Sequence, residues 1–184
     1  MLVTSNRGKY EEYRMMFEAE GIGLELNMMS YPEEQLDSIE KVAERSAYYL
    51  TGIVGPDFFI DDSGLFIESL GGFPGVYSSY VKRTIGNEGI LKLMKGVENR
   101  KAEFRTCIAF YNGKLNLFTG RVSGSISEEQ RGKGGFGFDP IFIPDGLDRT
   151  YAEMTTAEKN SISHRAVAAR NFLLFLKNKD NIDL

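Results

Sequence analysis

Two adjacent carboxylates, Asp61 and Asp62, stand at the end of the apolar run Phe58-Phe59-Ile60 and precede a serine and a glycine. Neighbouring side chains on a strand point to opposite faces, so only one of these carboxylates is expected to face a given site. Carboxylate oxygens are preferred ligands of Mg²⁺, which can then bridge to substrate phosphates. The segment Tyr31-Pro32-Glu33-Glu34-Gln35 offers a partner carboxylate. The alternatives are an acidic turn at Asp61-Asp62 and ordinary solvated acidic residues before a helix at Glu33-Glu34.

A strand-to-helix connection near the amino terminus, Thr4-Ser5-Asn6-Arg7-Gly8-Lys9, is a candidate anion site. The first turn of a helix has free backbone N–H groups and a partial positive charge, and both favour a phosphate. Arg7 and Lys9 add two cations to this turn. The segment does not match the G-x-x-x-x-G-K-[ST] loop, so an ordinary helix cap beside a solvated lysine remains an alternative.

A glycine-rich segment, residues 132–140, carries two aromatic side chains, Phe136 and Phe138, followed by Asp139. Glycines allow the backbone to approach a ligand closely, and aromatic rings can stack on a flat heterocycle. The segment is therefore a candidate base-binding loop. The alternative is a glycine-rich hairpin whose phenylalanines belong to the core.

Three basic side chains, Lys159, His164 and Arg165, fall around the predicted start of the last helix. Basic residues at a helix start oppose the helix dipole, and a bound ligand would explain this local cost. A lone histidine is more often a structural residue than a catalytic one.

The elements that must position these side chains alternate between strands and helices. Leu2-Val3-Thr4 is a predicted strand, and Tyr10, Tyr13 and Phe17 recur at helical spacing after it. A second helix is predicted from an apolar stripe, with Asp37 or Ser38 as its N-cap and Gly52 just past its end; the stripe is formed by Ile39, Val42, Ala43, Ala47 and Leu50.

The remaining pattern predicts further strands and a terminal helix. Strands are expected at 58–60 and 65–67, and the turn Asn112-Gly113 is expected to join a hairpin that begins at residue 102. A last helix carries the apolar stripe Ile162, Ala166, Ala169, Leu173 and Leu176. We therefore expect a mixed sheet in an α/β fold, with residues 1–184 forming one domain.

Composition excludes several classes of protein. The chain has 184 residues, of which 42% are hydrophobic and 26% charged, which is typical of a globular protein rather than a disordered one. A net charge of −4 argues against a protein that binds a nucleic-acid polymer. Apolar runs are far shorter than the about 20 residues of a membrane span, and no secretory signal opens the chain, so a cytoplasmic location is expected. The single cysteine, Cys107, is expected to be buried.

Six segments, taken in order, resemble the inosine triphosphate pyrophosphatase family, also called non-canonical purine NTP or dITP/XTP pyrophosphatases. Archaeal-type members are the most similar in length and in the Tyr-Pro-Glu segment. The segments are Thr4-Ser5-Asn6 with Lys9 and Glu12, Tyr31-Pro32-Glu33, Asp61-Asp62-Ser63-Gly64-Leu65, Gly72-Phe73-Pro74-Gly75-Val76-Tyr77-Ser78, Gly135-Phe136-Gly137-Phe138-Asp139-Pro140-Ile141-Phe142, and Glu153-Met154 through Ser163-His164-Arg165.

The resemblance implies a fold and a reaction. The fold would be an elongated, curved mixed sheet flanked by helices, with two lobes around a deep cleft, as in ITPase-like and Maf/Ham1-like proteins, and usually assembled as a homodimer. The reaction would be the Mg²⁺-dependent hydrolysis of ITP, dITP and XTP to the nucleoside monophosphate and pyrophosphate, which removes these nucleotides from the pool.

The resemblance also implies roles for individual residues. Glu33 and Asp62 would hold Mg²⁺, and Asp62 would either accept the proton of the attacking water or only position the metal and the water. The base and sugar would contact Phe136, Gly137, Phe138 and Asp139, with His164 and Arg165 at the purine edge. The triphosphate would lie along Thr4, Ser5, Asn6, Arg7, Gly8, Lys9, Ser63 and Lys159.

Two departures and two alternatives accompany this resemblance. Many relatives have glycine in place of Ser5 and tyrosine or tryptophan in place of Phe138, which affects fine specificity more than the reaction class. Tyr77 and Tyr80 are candidates for a subunit interface or for the wall of the cleft. The alternative functions are a Maf-type nucleotide pyrophosphatase for pyrimidine or modified nucleotides, and a nucleotide-binding sensor that does not hydrolyse its ligand.

Overall fold

The computed structural model describes residues 1–180, in which six strands form one sheet flanked by helices. The strands are β1 (Leu2–Val3), β2 (Leu26–Asn27), β3 (Phe58–Ile67), β4 (Lys101–Tyr111), β5 (Leu115–Ile126) and β6 (Phe142–Pro144). The helices are α1 (Arg7–Glu18), α2 (Ile39–Thr51), α3 (Ser78–Thr84), α4 (Gly86–Leu93), α5 (Thr156–Ile162) and α6 (His164–Asp180). Within this range no helix is long and apolar enough to cross a membrane.

The sheet is mixed, and its strand order is β2-β1-β3-β4-β5-β6. β1 runs parallel to both β2 and β3, whereas β3, β4, β5 and β6 pair antiparallel in succession. The predictions of an α/β fold, of a mixed sheet and of the hairpin around Asn112-Gly113 are therefore confirmed.

The first two helices begin where the sequence predicted. The side chain of Asn6 accepts a hydrogen bond from the Lys9 backbone N–H at 3.1 Å and caps α1. Ser38, rather than Asp37, caps α2 by accepting from the Lys41 backbone N–H. Both caps satisfy one of the N–H groups that a helix start leaves free.

The third strand differs from its prediction. Two short strands were expected on either side of a polar turn, but β3 is continuous over ten residues. Asp62 and Ser63 pair in register with Cys107 and Thr106 of β4, so the long neighbouring strand holds the polar stretch extended. The two carboxylates consequently lie in the middle of a strand rather than at its end.

The last predicted helix is two helices. α5 ends at Ile162, and Ser163 has an extended backbone with φ −69° and ψ 159°. The Ser163 hydroxyl then accepts from the Ala166 N–H at 3.2 Å, which caps α6. Lys159 therefore lies in the last turn of α5, where the helix dipole favours a cation, so the predicted dipole conflict applies only to His164 and Arg165.

Both faces of the sheet are covered by aromatic and aliphatic side chains. On one face α1 and α6 pack on the sheet, with the rings of Phe17, Phe59 and Phe172 in mutual contact. On the other face α2 covers β1, β3 and Cys107, which is fully buried as predicted. Burial raises the pKa of the Cys107 thiol to about 12, so this thiol is unreactive.

A third hydrophobic cluster lies at the other end of β3 and β4. It gathers side chains from β3, α3, α4, β4 and the segment around β6, with Leu65, Ile90, Phe104 and Phe142 among its fully or nearly buried members. The protein thus has two packed regions along one sheet. One is formed by the two clusters under α1, α6 and α2, and the other is this third cluster. Residues from both regions meet at the cavity described below.

Gly120 of β5 lies directly under the start of α6. A Cβ atom at this position would overlap the carbonyl oxygen of His164 and the backbone nitrogen of Ala168. Because these are backbone atoms, they cannot move without displacing the helix.

We expect Gly120→Ala to lower the free energy of unfolding by about 1–3 kcal/mol, the usual cost of overpacking. The matched control is Gly23→Ala, because a Cβ atom there meets no atom within 4 Å. Urea denaturation of both variants measures the difference, and equal midpoints would contradict the close contact between α6 and β5.

Candidate active site

A cavity of about 870 Å³ opens where the two packed regions meet. Its walls come from the connection before α1, the segment before α2, β3, α3, the glycine-rich loop, and the junction of α5 and α6. Of the residues proposed from sequence, those that line it are Thr4, Ser5, Asn6, Lys9, Glu33, Asp62, Ser63, Phe136, Gly137, Phe138, Asp139, Lys159, His164 and Arg165.

Only one carboxylate of the adjacent pair faces this cavity, as strand alternation predicts. Asp62 lines the cavity together with Glu33, whereas Asp61 is buried on the opposite face of β3. Burial raises the pKa of Asp62 to about 7, and the negative charges of Glu33 and Asp61 act in the same direction, against the effect of Lys9. In the metal-free protein this carboxyl group therefore ionises near neutral pH, and a bound divalent cation would favour its ionised form.

The donor set at Asp62 fits a hard divalent cation. Its Oδ2 atom is buried and has no hydrogen-bond partner in the structure, and the Glu33 carboxylate lines the same space. Within residues 1–180, no cluster of three or more His, Cys, Asp or Glu side chains is placed to hold a metal. Two carboxylates without a protein cage suit Mg²⁺, which keeps several waters and takes further ligands from phosphates.

The connection before α1 lies beside these carboxylates. Thr4 Oγ1 accepts from the Asn6 N–H at 3.1 Å, and Lys9 Nζ lies 2.9 Å from both the backbone oxygen and Oδ1 of Asp61. Lys9 is therefore held in place at the edge of the cavity. A helix start with a fixed lysine is an arrangement that binds phosphate oxygens.

Two residues of this connection do not line the cavity. Arg7 is exposed outside it. Gly8 packs under the ring of Phe136, where a Cβ atom would come within 2.6 Å of the ring. Gly8 is thus required for packing against Phe136, which is a role different from the predicted contact with the triphosphate.

A buried charge cluster joins the cavity floor to α1. Glu12 is 3% exposed, and its two oxygens bind Lys159 Nζ at 2.7 Å and Arg165 Nη1 at 2.6 Å. Lys159 also lies 2.5 Å from Asp139, and Arg165 Nε bonds to Asp61 at 3.0 Å. Burial raises the pKa of Glu12, but attraction from Arg165 and Lys159 outweighs it, so the pKa lies below its usual value.

The cluster is balanced in charge. Its cations are Lys9, Lys159 and Arg165, and its anions are Glu12, Asp61 and Asp139. Such mutual pairing is what allows five of these six groups, all except Lys9, to remain buried. Arg165 also donates from Nη2 to Ser63 Oγ at 2.9 Å, so three of its five N–H groups are already engaged.

The two aromatic residues of the glycine-rich loop differ in exposure. Phe138 is 3% exposed and belongs to the third hydrophobic cluster, so its ring is largely a core ring. Phe136 is half-buried in the cavity wall, with Lys159 Nζ 4.7 Å and Arg165 Cζ 5.4 Å from its ring centre. The loop is not a hairpin; it leads into a short 3₁₀ helix, Asp139–Ile141.

His164 lies at the inner end of the cavity. Its ring stacks on Phe104 with centroids 4.5 Å apart and planes 8° apart. Burial and the nearby cations Arg165 and Lys159 hold the pKa of His164 well below its usual value, so the imidazole is neutral. Its Nδ1 atom is buried without a hydrogen-bond partner in the structure.

Several cavity residues were not proposed from sequence. α3 contributes several of them because its first residue is fixed on β3: Ser78 Oγ accepts from the Leu65 N–H at 2.9 Å and donates to the Gly75 carbonyl at 2.7 Å. Tyr77 and Tyr80, which follow the Gly-Pro segment, lie in the cavity wall, one of the two locations expected for them. The lining residues that were not proposed from sequence are Ser30, Tyr31, Gln35, Gly64, Ser78, Ser79, Lys82, Arg83 and Phe104.

The fold and the cavity define an α/β protein whose cleft combines a helix start, two carboxylates that line the cavity and several fixed cations. The chain belongs to the Ham1 family, whose model it matches over residues 1–175. It is 59% identical to the dITP/XTP pyrophosphatase of Thermococcus kodakarensis, with 95% of each chain covered. It is 49% identical to the protein of the same name from Methanopyrus kandleri, with 97% and 96% covered.

Solved structures agree with this assignment. The Ham1 protein of Staphylococcus aureus superposes with a TM-score of 0.81 at 26% identity and covers 97% of this chain and 98% of its own. The HAM1 protein of Coxiella burnetii gives the same TM-score at 29% identity, with 96% and 98% covered. The fold expected from the resemblance is therefore confirmed.

Proposed function

We propose that this protein hydrolyses dITP, ITP and XTP to the nucleoside monophosphate and pyrophosphate in the presence of Mg²⁺. The observation that carries the proposal is Asp62, which has an unpartnered buried oxygen and shares one cavity with Glu33 and Lys9. Relatives named dITP/XTP pyrophosphatase that match nearly the whole chain support the choice of substrate.

The residues divide the reaction among them. The oxygen of a water molecule attacks the α-phosphorus, and the bond from that phosphorus to the departing pyrophosphate breaks. Asp62 orients this water or accepts its proton, while Lys9 and the start of α1 bind phosphate oxygens. Mg²⁺ held by Glu33 and Asp62 would supply charge neutralisation for the triphosphate.

The nucleoside would lie at the other end of the cavity. The half-buried ring of Phe136 offers an aromatic surface there, and Phe138 supports the wall from the core. The neutral imidazole of His164 and the two unengaged N–H groups of Arg165 can donate to the C6 carbonyl shared by hypoxanthine and xanthine. Adenine has an amino group at that position and would leave these donors unpaired, which disfavours ATP.

We further propose that residues 1–184 act as one domain, in the cytoplasm and as a homodimer. Large apolar side chains exposed on and after α2, namely Tyr48, Tyr49 and Ile53, are more than half exposed and support an interface. Sedimentation velocity is expected to give twice the chain mass, and a monomer at micromolar concentration would contradict the dimer.

The experiment that tests the reaction measures pyrophosphate and orthophosphate release from ITP, XTP, dITP, ATP, GTP and dTTP, with Mg²⁺ and with EDTA. Metal-dependent pyrophosphate release from the first three, with little from the others, is the expected result. Orthophosphate alone would mean cleavage elsewhere on the phosphate chain, and preferred cleavage of dTTP would indicate a Maf-type activity. Nucleotide binding without turnover would favour the sensor.

Glu33→Gln is expected to raise the Mg²⁺ concentration needed for half-maximal turnover by roughly 10-fold or more, because it removes one of two carboxylate ligands. Glu34→Gln is the matched control, since Glu34 does not line the cavity and pairs with Arg45 at 3.2 Å. A magnesium titration of turnover measures both variants. The assignment of Glu33 is wrong if Glu34→Gln, and not Glu33→Gln, shifts the titration.

A further inference from the structure

Lys82 of α3 is a cation in the cavity wall that lies outside the buried charge cluster. It is half-buried, and its Nζ lies 5.9 Å from the centre of the Phe138 ring. It has no hydrogen bond or ion pair with any of residues 1–180 in the structure. Lys159 and Arg165, by contrast, each bind two carboxylates.

The carboxylate that attracts Lys82 is Asp139, and one of its two oxygens is already engaged. Oδ2 of Asp139 is bound by Lys159 and also accepts from the Phe136 N–H at 2.8 Å. The buried charge cluster is neutral without Lys82, so its ammonium group is a surplus positive charge at this end of the cavity. Its three N–H donors are therefore free for a ligand.

The position of Lys82 separates it from the phosphate-binding end. Ser78, the first residue of α3, is fixed on β3 beside Gly64, and Lys82 lies one helical turn further on, at Phe138. The phosphate-binding groups proposed above are Lys9, whose Nζ contacts Asp61, and the start of α1. Lys82 thus belongs with the glycine-rich loop.

We propose that Lys82 recognises the substituent at C2 of the purine and thereby favours xanthine and disfavours guanine. This inference rests on the proposed function. Xanthine has a carbonyl oxygen at C2, which accepts a hydrogen bond from a lysine. Hypoxanthine has only a C–H group there and gains nothing. Guanine has an amino group at C2, and two donors facing each other leave both unpaired in a partly desolvated site.

The test compares Lys82→Met, which keeps the aliphatic stem, with Lys82→Arg, which restores the charge and the donors. The expected result for Lys82→Met is a fall in kcat/KM for XTP of roughly 10- to 100-fold relative to ITP, as for the loss of a charged hydrogen bond. The ratio of kcat/KM for GTP to kcat/KM for ITP is expected to rise in Lys82→Met. Lys82→Arg is expected to restore most of the preference for XTP. Lys92→Met is the control, because Lys92 is exposed on α4 outside the cavity.

Two outcomes overturn the inference. An equal fall in kcat/KM for XTP, ITP and GTP would mean that Lys82 contacts phosphate, and unchanged kcat/KM for all three would mean that it does not contact the substrate. Calorimetric binding of XMP and IMP separates this inference from the proposed reaction, since it requires no turnover. A protein that hydrolyses none of the nucleotides but loses its preference for XMP over IMP in Lys82→Met would retain the inference and refute the proposed reaction.

Discussion

Asp62→Asn is expected to lower kcat by about 1000-fold or more, because the variant loses both a metal ligand and the group that orients or deprotonates water. The amide has nearly the same shape as the carboxylate, so the cavity itself is expected to remain intact. Pyrophosphate release from ITP in saturating Mg²⁺ measures the loss. Asp145→Asn is the control, since Asp145 is exposed and lies outside the cavity.

The same substitution is expected to stabilise the metal-free protein. The folded protein holds the Asp62 proton up to a pKa of about 7, whereas the unfolded chain releases it near 3.8. Wild-type stability therefore falls as the pH rises through this window. Because a tenfold change in proton affinity corresponds to about 1.4 kcal/mol, we expect Asp62→Asn to be the more stable protein at about pH 8 by at least about 1 kcal/mol.

Thermal unfolding of both proteins in EDTA measures this gain in stability. It is recorded at one pH between 3.8 and about 7 and at one pH above 7. The stability gain should shrink at the lower pH, where the wild-type carboxyl is already protonated. A variant that turns over ITP at the wild-type rate with an unchanged melting temperature would remove Asp62 from the mechanism. A variant that unfolds would show that the carboxylate is structural.

Glu12→Gln is expected to be the most destabilising of the conservative substitutions described here, with a loss of about 3–5 kcal/mol in the free energy of unfolding. Glu12 is the only anion of the buried charge cluster that binds both Lys159 and Arg165. Its neutral replacement leaves the cluster with one uncompensated positive charge away from water. Urea denaturation near neutral pH measures the loss.

Glu18→Gln provides the control on the same helix. Glu18 also pairs with an arginine, Arg14 at 2.8 Å, but both side chains are largely exposed. Exposed pairs contribute little because water screens them, so its unfolding midpoint should match that of the wild type. Similar losses in the free energy of unfolding for Glu12→Gln and Glu18→Gln would show that burial does not determine how much the charge cluster contributes to stability.

Local pattern was sufficient to predict part of this site. The alternation of Asp61 and Asp62 follows from strand geometry alone, and a helix start within residues 4–9 follows from the periodic apolar residues after it. Ser63 and Gly64 favoured a turn, but pairing with β4 kept them in a strand. Tertiary pairing overrides local preference in such cases.

The pairing of distant charges could not be predicted from spacing. Glu12 was part of a recognised segment, yet nothing near it in the chain showed that it binds Lys159 and Arg165. The end of α5 had a local signal in Ser163, a good helix N-cap three residues before Ala166, but the apolar stripe continued through it. Lys82 had no signal at all, because a lysine on a short helix is usually a surface residue.

The buried charge cluster also constrains the order in which the protein can mature on the ribosome. Glu12 and Arg165 are 153 positions apart, so the first helix leaves the ribosome long before its counter-charge is synthesised. Until then Glu12 and Asp61 lack Arg165, and burying them would be unfavourable. The face of the sheet under α6 should therefore stay hydrated in nascent chains, and closure of the active-site cavity should be among the last folding events.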